Sequence, residues 1–264
     1  MAGERKTALI TGASSGIGAE LARVHAERGG DLIVVARRRE KLESLKTELE
    51  AAHGVTVHVL PKDLAQAETP QKVCDEVRSL GVAVDYLVNN AGFGCRGFFH
   101  KQDWEINEAM IKVNVLALAA LTRLFVPDMV TRRSGRILNV GSMAGFLPGP
   151  LNAVYYASKA FVLSFSEAIA NELRHTGVTV TVLCPGPTQS EFTRMAQMSD
   201  VNLTRTLAST RQVAEAGYDA MLRGKTVLVP GLANKITIHG LLRLSPRRVS
   251  SRISRILMEK RERK

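Results

Sequence analysis

Residues 7–18 read TALITGASSGIG: a short apolar run, then a turn with Gly12, Gly16 and Gly18, then a stretch of helical periodicity from Ile17 to Arg28. Glycines allow tight backbone bends and close approach of a ligand. The helix that follows offers unpaired N–H groups and the positive end of its dipole to an anion. A strand, a glycine turn and a helix in that order form the signature of a dinucleotide-binding βα unit, with the pyrophosphate on the helix N-terminus. Gly12, Ser14, Ser15, Gly16, Ile17 and Gly18 are therefore the first candidate cofactor residues.

The same alternation continues outward. Apolar runs at 7–10, 32–35, 55–60, 86–88, 136–140, 178–183 and 226–229 predict strands; periodic stretches at 17–28, 41–52, 70–80, 104–130, 155–175 and 208–223 predict helices. Buried runs linked by helices imply an α/β fold: a doubly wound parallel sheet of about seven strands with helices on both faces. Gly29, Gly30, Gly54 and Gly81 are placed to end helices. There is no repeat or low-complexity linker, so residues 1–231 are expected to form one Rossmann-type domain. Residues 232–264 are expected to be a basic, partly amphipathic helical extension of it. The polar stretch 188–206, carrying Phe192, Met195 and Met198, lacks a firm period and is expected to be a functional loop.

Where the second strand ends, an acid would bind the ribose 2′-hydroxyl of NAD. This chain instead has Ala36-Arg37-Arg38-Arg39. A guanidinium can hold a 2′-phosphate in a fork that a carboxylate would repel. Arg37 and Arg38 therefore point to NADP(H).

Further on, Tyr155 and Lys159 stand four residues apart in YYASK, with Ser142 upstream in VGS. Positions i and i+4 share a helix face, so the phenol and the ammonium can act on one bound group. A phenol ionises near pH ~10 in water, and a nearby cation favours the phenolate. Bringing it close to neutrality takes roughly 4 kcal/mol of differential stabilisation. The expectation is a lowered Tyr155 pKa, Ser142 bonding the substrate oxygen, and alcohol–carbonyl redox chemistry. Tyr156 competes with Tyr155 but lies about 100° further round the helix, and reads as a packing residue.

Taken together, these motifs resemble the short-chain dehydrogenase/reductase family over roughly residues 5 to 231. TGASSGIG resembles the family's cofactor turn, Asn89-Asn90-Ala91-Gly92 its strand-four motif, and Ser142, Tyr155 and Lys159 its catalytic core. Asn114, in KVNV, matches the fourth catalytic residue, although an Asn there could also serve a buried backbone group. The resemblance implies that Asp63 and Leu64 border the adenine and that Asn90, Ala91 and Gly92 line the ribose. It also places the loop Pro185-Gly186-Pro187-Thr188-Gln189-Ser190 beside the nicotinamide, with Thr188 and Ser190 holding the carboxamide. Lys159 would hold the nicotinamide ribose and bias Tyr155, and Asn114 would link Lys159 to solvent. Phe93, Cys95, Phe146, Leu147, Phe192 and Met195 are candidate substrate-side residues in loops at the carboxyl edge of the sheet. Their apolar character suggests a hydrophobic carbonyl or secondary alcohol. A homodimer or homotetramer through the long helices around Asn114 and Tyr155 is implied.

Composition narrows the alternatives. Apolar residues make up 45% of the 264, ordinary for a globular chain. Cys74, Cys95 and Cys184 form no C-x-x-C pair, which favours a reducing compartment, and the six histidines show no metal-binding spacing. Met1–Lys6 leaves no room for a signal peptide, and the apolar run Val113–Val126 reads as too short to span a bilayer. Cytoplasmic residence is the expectation. Of the formal net charge of +11, +7 lies between Arg243 and Lys264. There Val249, Ile253, Ile256 and Leu257 follow helical spacing among Arg247, Arg248, Arg252 and Arg255. That segment could lie on anionic lipid, which would make the chain a membrane-surface binder on a dehydrogenase fold. The competing reading, which is favoured, is a helix docked on the parent domain or on a subunit neighbour with its basic face solvated. Stacking aromatics for nucleic acid are absent from it.

Overall fold

The computed structural model describes residues 5–189, 208–242 and 254–255. Seven parallel strands form the central sheet. In chain order they are β1 (Thr7–Thr11), β2 (Asp31–Ala36), β3 (Val57–Pro61), β4 (Tyr86–Asn89), β5 (Gly135–Val140), β6 (Val178–Leu183) and, after two short strands, β9 (Val227–Leu228). Their spatial order is β3-β2-β1-β4-β5-β6-β9, so strand order reverses between β1 and β4. Ligands of open α/β sheets bind at such a switch point, beyond the carboxyl ends of the strands.

Side chains alternate along the strands and divide the core between two faces. Ala8, Ile10, Leu32 and Val34 face one layer, where they meet Leu21 of α1 (Gly16–Glu27), Leu42 of α2 (Arg39–His53) and Val213 of a later helix. Leu9, Ile33 and Val35 face the other, against Val73 of α3 (Thr69–Ser79) and Leu121, Phe125 and Met129. This period of two, set against helical periods on both sides, is the doubly wound arrangement expected from the sequence.

Two features were not anticipated. The stretch 104–130 is a continuous helical run whose middle changes type: α4 (Trp104–Ile111) passes through a π-helical segment (Lys112–Ala117) into α5 (Leu118–Thr131). A two-residue parallel pair, β7 (Thr188–Gln189) with β8 (Ala208–Ser209), also brackets the start and end of the polar loop. Helices α6 (Ala153–Glu172), α7 (Thr210–Leu222) and α8 (Leu232–Ile236) complete the layers. The extension begins as helix: α8 runs into a π segment, Thr237–Leu242, whose Ile238 is buried against Val162 and Cys184. The rest of the basic tail, apart from Ser254 and Arg255, lies outside the described residues.

The run Trp104–Thr131 corrects one expectation. Its 28 residues, with mean hydropathy 1.8 in the most apolar window, are long and apolar enough to cross a membrane. The sheet dictates otherwise. The helix joins β4 to β5, which are parallel neighbours paired from Tyr86↔Arg136 to Asn89↔Asn139, and a bilayer between its ends would pull those strands apart. Its buried Asn107, Asn114 and Thr122 bind within the protein. All three cysteines are free thiols.

Candidate active site

Asn114, Ser142, Tyr155 and Lys159, separated along the chain, meet beyond the carboxyl ends of β4 and β5. Ser142 leaves β5 and caps a 3-10 turn (Met143–Phe146), its Oγ accepting from Ala144 N at 3.1 Å. Tyr155 and Lys159 lie one turn apart near the start of α6, with the Lys159 Nζ 5.9 Å from the Tyr155 ring centre. Lys159 Nζ donates to Val140 O at 2.8 Å, tying α6 to the end of β5. Asn114 sits in the π segment, where its amide is committed. Nδ2 donates to Phe93 O (2.9 Å) and Ser158 Oγ (3.0 Å), and Oδ1 accepts from Phe93 N (3.1 Å). Ser158 in turn donates to Tyr155 O at 2.7 Å. Asn114 thus fastens the loop after β4 to the catalytic helix by direct bonds. Ser158 was not singled out from sequence; only its place directly before Lys159 hinted at it.

The electrostatics correct a second expectation. Tyr155 is raised to about 12, first by burial, with its hydrogen bond to Ser142 acting in the opposite direction. Lys159 is lowered to about 8, again chiefly by burial. Burial disfavours the charged form of each group. The lysine is still mostly protonated at pH 7 but releases its proton about pH 8, and the phenol is held protonated, opposite in direction to the expected lowering at Tyr155. Cys184, buried behind them at the end of β6, is pushed up to about 12 by the same cause. Tyr156 packs as expected: a Cβ on Gly149 would fall 2.1 Å from its ring, so the ring lies flat on that glycine.

The glycine turn fits a dinucleotide. Gly12 and Gly16 have φ of +67° and +59°. A Cβ on Gly18 would stand 2.4 Å from both Gly12 O and Asn90 Nδ2, so the first turn of α1 can close on the loop only with glycine there. The N-cap Ser15 makes no side-chain capping bond and no acid occupies the first turn, leaving the helix N-terminus suited to a phosphate. Ile17 follows half-buried on α1. Asn90 Nδ2 donates to Thr11 O (2.9 Å) and Gly12 O (3.2 Å), and Thr11 Oγ1 accepts from the N–H groups of Asn90 and Ala91, both at 3.0 Å. Gly92 lies where a Cβ would crowd Asn114 Oδ1 and Lys159 Nζ.

Of the two candidate arginines, Arg38 reaches the turn: its guanidinium donates to Ser14 Oγ at 3.1 Å and Ser15 Oγ at 2.9 Å. Arg37 is exposed. Asp63 Oδ1 accepts from Ala65 N, and Leu64 is buried beside it. Pro185 O accepts from Met143 N, and Thr188 Oγ1 donates to Gly186 O at 2.9 Å, so that loop lies against the Ser142 turn. Ser190, Phe192 and Met195 fall outside the described residues. Among the substrate-side candidates, Phe93 is held by Asn114, and half-buried Cys95 is held through its carbonyl by Gln102 Nε2. Gly97 N donates to Leu151 O and joins this loop to the one before α6. Phe146 packs on the cluster around Val162 and Cys184, beside half-buried Leu147.

A doubly wound sheet with a glycine cradle at its switch point, and a Ser–Tyr–Lys group at the neighbouring strand end, defines a nucleotide-dependent oxidoreductase architecture. The family model described as short chain dehydrogenase matches residues 6–201, and the chain belongs to that family of oxidoreductases. It is similar to the ketoacyl reductase HetN of Nostoc sp. (strain PCC 7120), 33% identical over 233 residues covering 88% of this chain and 80% of the relative. Among solved structures it is similar to a short-chain dehydrogenase from Sphingobium yanoikuyae in complex with NADPH, with TM-score 0.81 and 34% identity over 91% of this chain and 96% of the other. A 7β-hydroxysteroid dehydrogenase structure superposes with TM-score 0.86 at 26% identity, covering 94% and 96%.

Proposed function

We propose that the protein is an NADP(H)-dependent oxidoreductase interconverting a hydrophobic carbonyl compound and its secondary alcohol, with Tyr155 as acid/base. The observation that carries this reading is the placing of Tyr155 between Ser142 and Lys159 at a strand end next to the glycine cradle. NADP(H) supplies the hydride. The chain's own groups do the rest: Ser142 and Tyr155 hydrogen-bond the substrate oxygen, and the phenol gives that oxygen its proton during reduction. A phenol at about 12 is protonated at neutral pH, the form that can donate. Lys159, releasing its proton about pH 8, can hold the ribose hydroxyls and exchange a proton near the phenol.

Arg38, folded over Ser14 and Ser15, supports the 2′-phosphorylated cofactor, as does the NADPH held by the Sphingobium relative. Phe93, Cys95, Phe146 and Leu147 make an apolar substrate side. The steroid and ketoacyl activities named for relatives agree with a lipid-like substrate. Leu116 and Phe161, exposed at 57% and 38% on the long helices, support self-association as a dimer or tetramer. The test is a panel of apolar ketones with NADPH or NADH, following nicotinamide absorbance. Turnover with NADPH is expected; activity with NADH alone, or with neither, overturns the reading.

A further inference from the structure

We propose that the edge of the sheet opposite the candidate active site is a docking surface for anionic phospholipid membrane. Three neighbouring strands, β5, β6 and β9, begin at this edge; the loops leading into them carry Arg132, Arg133, Arg174, Arg223 and Lys225, and Arg136 is the second residue of β5. The loops touch. Arg133 Nη2 donates to His175 O at 3.4 Å, and Arg136 Nη1 donates to Thr179 Oγ1 at 3.4 Å and Met221 O at 3.3 Å. All of these cations except half-buried Arg136 are exposed.

Their lack of counter-charge sets them apart. Neighbouring cations of the same edge are paired: Arg5 with Asp31, Lys6 with Asp85, Arg28 with Asp219 and Arg78 with Asp128. Among the described residues none of the six makes an ion pair. Of the flanking carboxylates, Asp85, Asp128 and Asp219 are already taken, by Lys6, Arg78 and Arg28, while Glu172 at the end of α6 pairs with none of the six. A cation near each helix C-terminus complements the dipole, and the ends of α5, α6 and α7 lie here. That explains single charges, but not five exposed cations on three adjacent loops, which outnumber the carboxylates Asp85 and Glu172 beside them. Arg133 adds a further sign. It occupies the left-handed position after α5 (φ +52°), with Ser134 N bonded to Met129 O and its own N–H to Val130 O, where glycine is the favoured residue.

The charges are spread along the edge rather than converging, which suits a plane of phosphates more than one ion. The loops carry no Phe, Tyr or Trp for stacking nucleobases; their one aromatic ring is the imidazole of His175, which accepts from Arg174. The C-terminal segment, with Val249, Ile253, Ile256 and Leu257 at helical spacing among arginines, has a composition suited to a lipid interface. Strands of about six residues at roughly 3.3 Å each put the belt about 20 Å from Tyr155, so docking leaves the catalytic mouth open.

The test is sedimentation of the full-length protein with vesicles of phosphatidylcholine alone or with about a third phosphatidylserine, over a range of salt. Binding to the anionic vesicles, weakening as salt rises, is expected. R133Q/R174Q/R223Q should lower it on the order of 100-fold, since each basic residue near an anionic surface adds to the attraction. R133K/R174K/R223K, which keeps the charge, should bind as the parent does. Unchanged cofactor affinity in both variants checks the fold. Parent-like binding by the glutamine variant, equal binding to neutral vesicles, or preference for a duplex oligonucleotide over vesicles overturns the proposal.

Discussion

Lys159→Met isolates the cost of burying a charge at this site. The lysine is only 5% exposed, and burial lowers it from its ordinary 10.5 to about 8. Displacement of that size corresponds to roughly 3 kcal/mol against the protonated form at neutral pH. Methionine fills similar space without the charge. Loss of the bond to Val140 O takes back about 1 kcal/mol, leaving the variant about 2 kcal/mol more stable than the parent at pH 7. The sign follows from proton binding. Between pH about 8 and 10.5 the unfolded chain keeps a proton that the folded chain has released, so parent stability rises across that window and is flat below it. Urea denaturation of both proteins without cofactor, from pH 7 to 10.5, should show the gap closing as pH rises. Carbonyl reduction should be lost at every pH. A gap that does not change with pH, or a variant less stable at pH 7, refutes the reasoning.

Tyr155→Phe should lower single-turnover reduction by ~10²–10⁴-fold, the usual contribution of a positioned acid, while NADPH binding persists. Tyr156→Phe, which keeps the ring on Gly149, should retain most activity; the reverse pattern would show that the proton comes from the wrong tyrosine. Arg38→Ala should weaken NADPH by about 10- to 100-fold, the worth of a charge-assisted bond, and leave NADH almost unaffected in a direct binding titration. Gly18→Ala places a methyl 2.4 Å from a backbone carbonyl, and calorimetry should show cofactor binding abolished while the far side of the sheet keeps its amide protection.

The strands were legible because each is a short, mainly apolar and β-branched run, most of it buried, between helical segments. The helices were legible because their apolar residues recur at helical spacing, so element boundaries agree to within a few residues. The Tyr155–Lys159 pairing followed from i, i+4 geometry together with the match to the family's four-residue spacing, since Tyr156 at i, i+3 was also within reach. Less local features were not legible. The sequence between Trp104 and Val130 keeps an apolar helical pattern straight through Lys112–Ala117, and nothing in it marks the wider turn. Arg38 and Arg37 are equivalent as letters; only the direction of the chain leaving β2 brings one guanidinium to Ser14 and Ser15. At Tyr155 the expected lowering drew on the nearby ammonium and an oxidised nicotinamide; in the protein alone, burial around the phenol acts in the opposite direction. Which residue meets Asn114 depends on two helices packing across each other, information that sequence spacing does not contain.

The π segment between α4 and α5 has a consequence for the helix as a ruler. A wide turn adds one residue to an α-helix, so the two halves are out of phase by about 100° compared with an unbroken helix. The upstream half is set to the phase that brings Asn114 to Phe93 and Ser158; the downstream half is set to the phase that buries Leu121, Phe125 and Met129. Removing any one residue of 112–117 would let the helix close into regular α geometry with its composition barely altered. Either the amide would then swing off its partners or the apolar stripe would rotate out of the core. A single-residue deletion here should therefore be far more damaging than most substitutions in the same segment, and any grafting of this helix must carry the extra residue to keep both alignments.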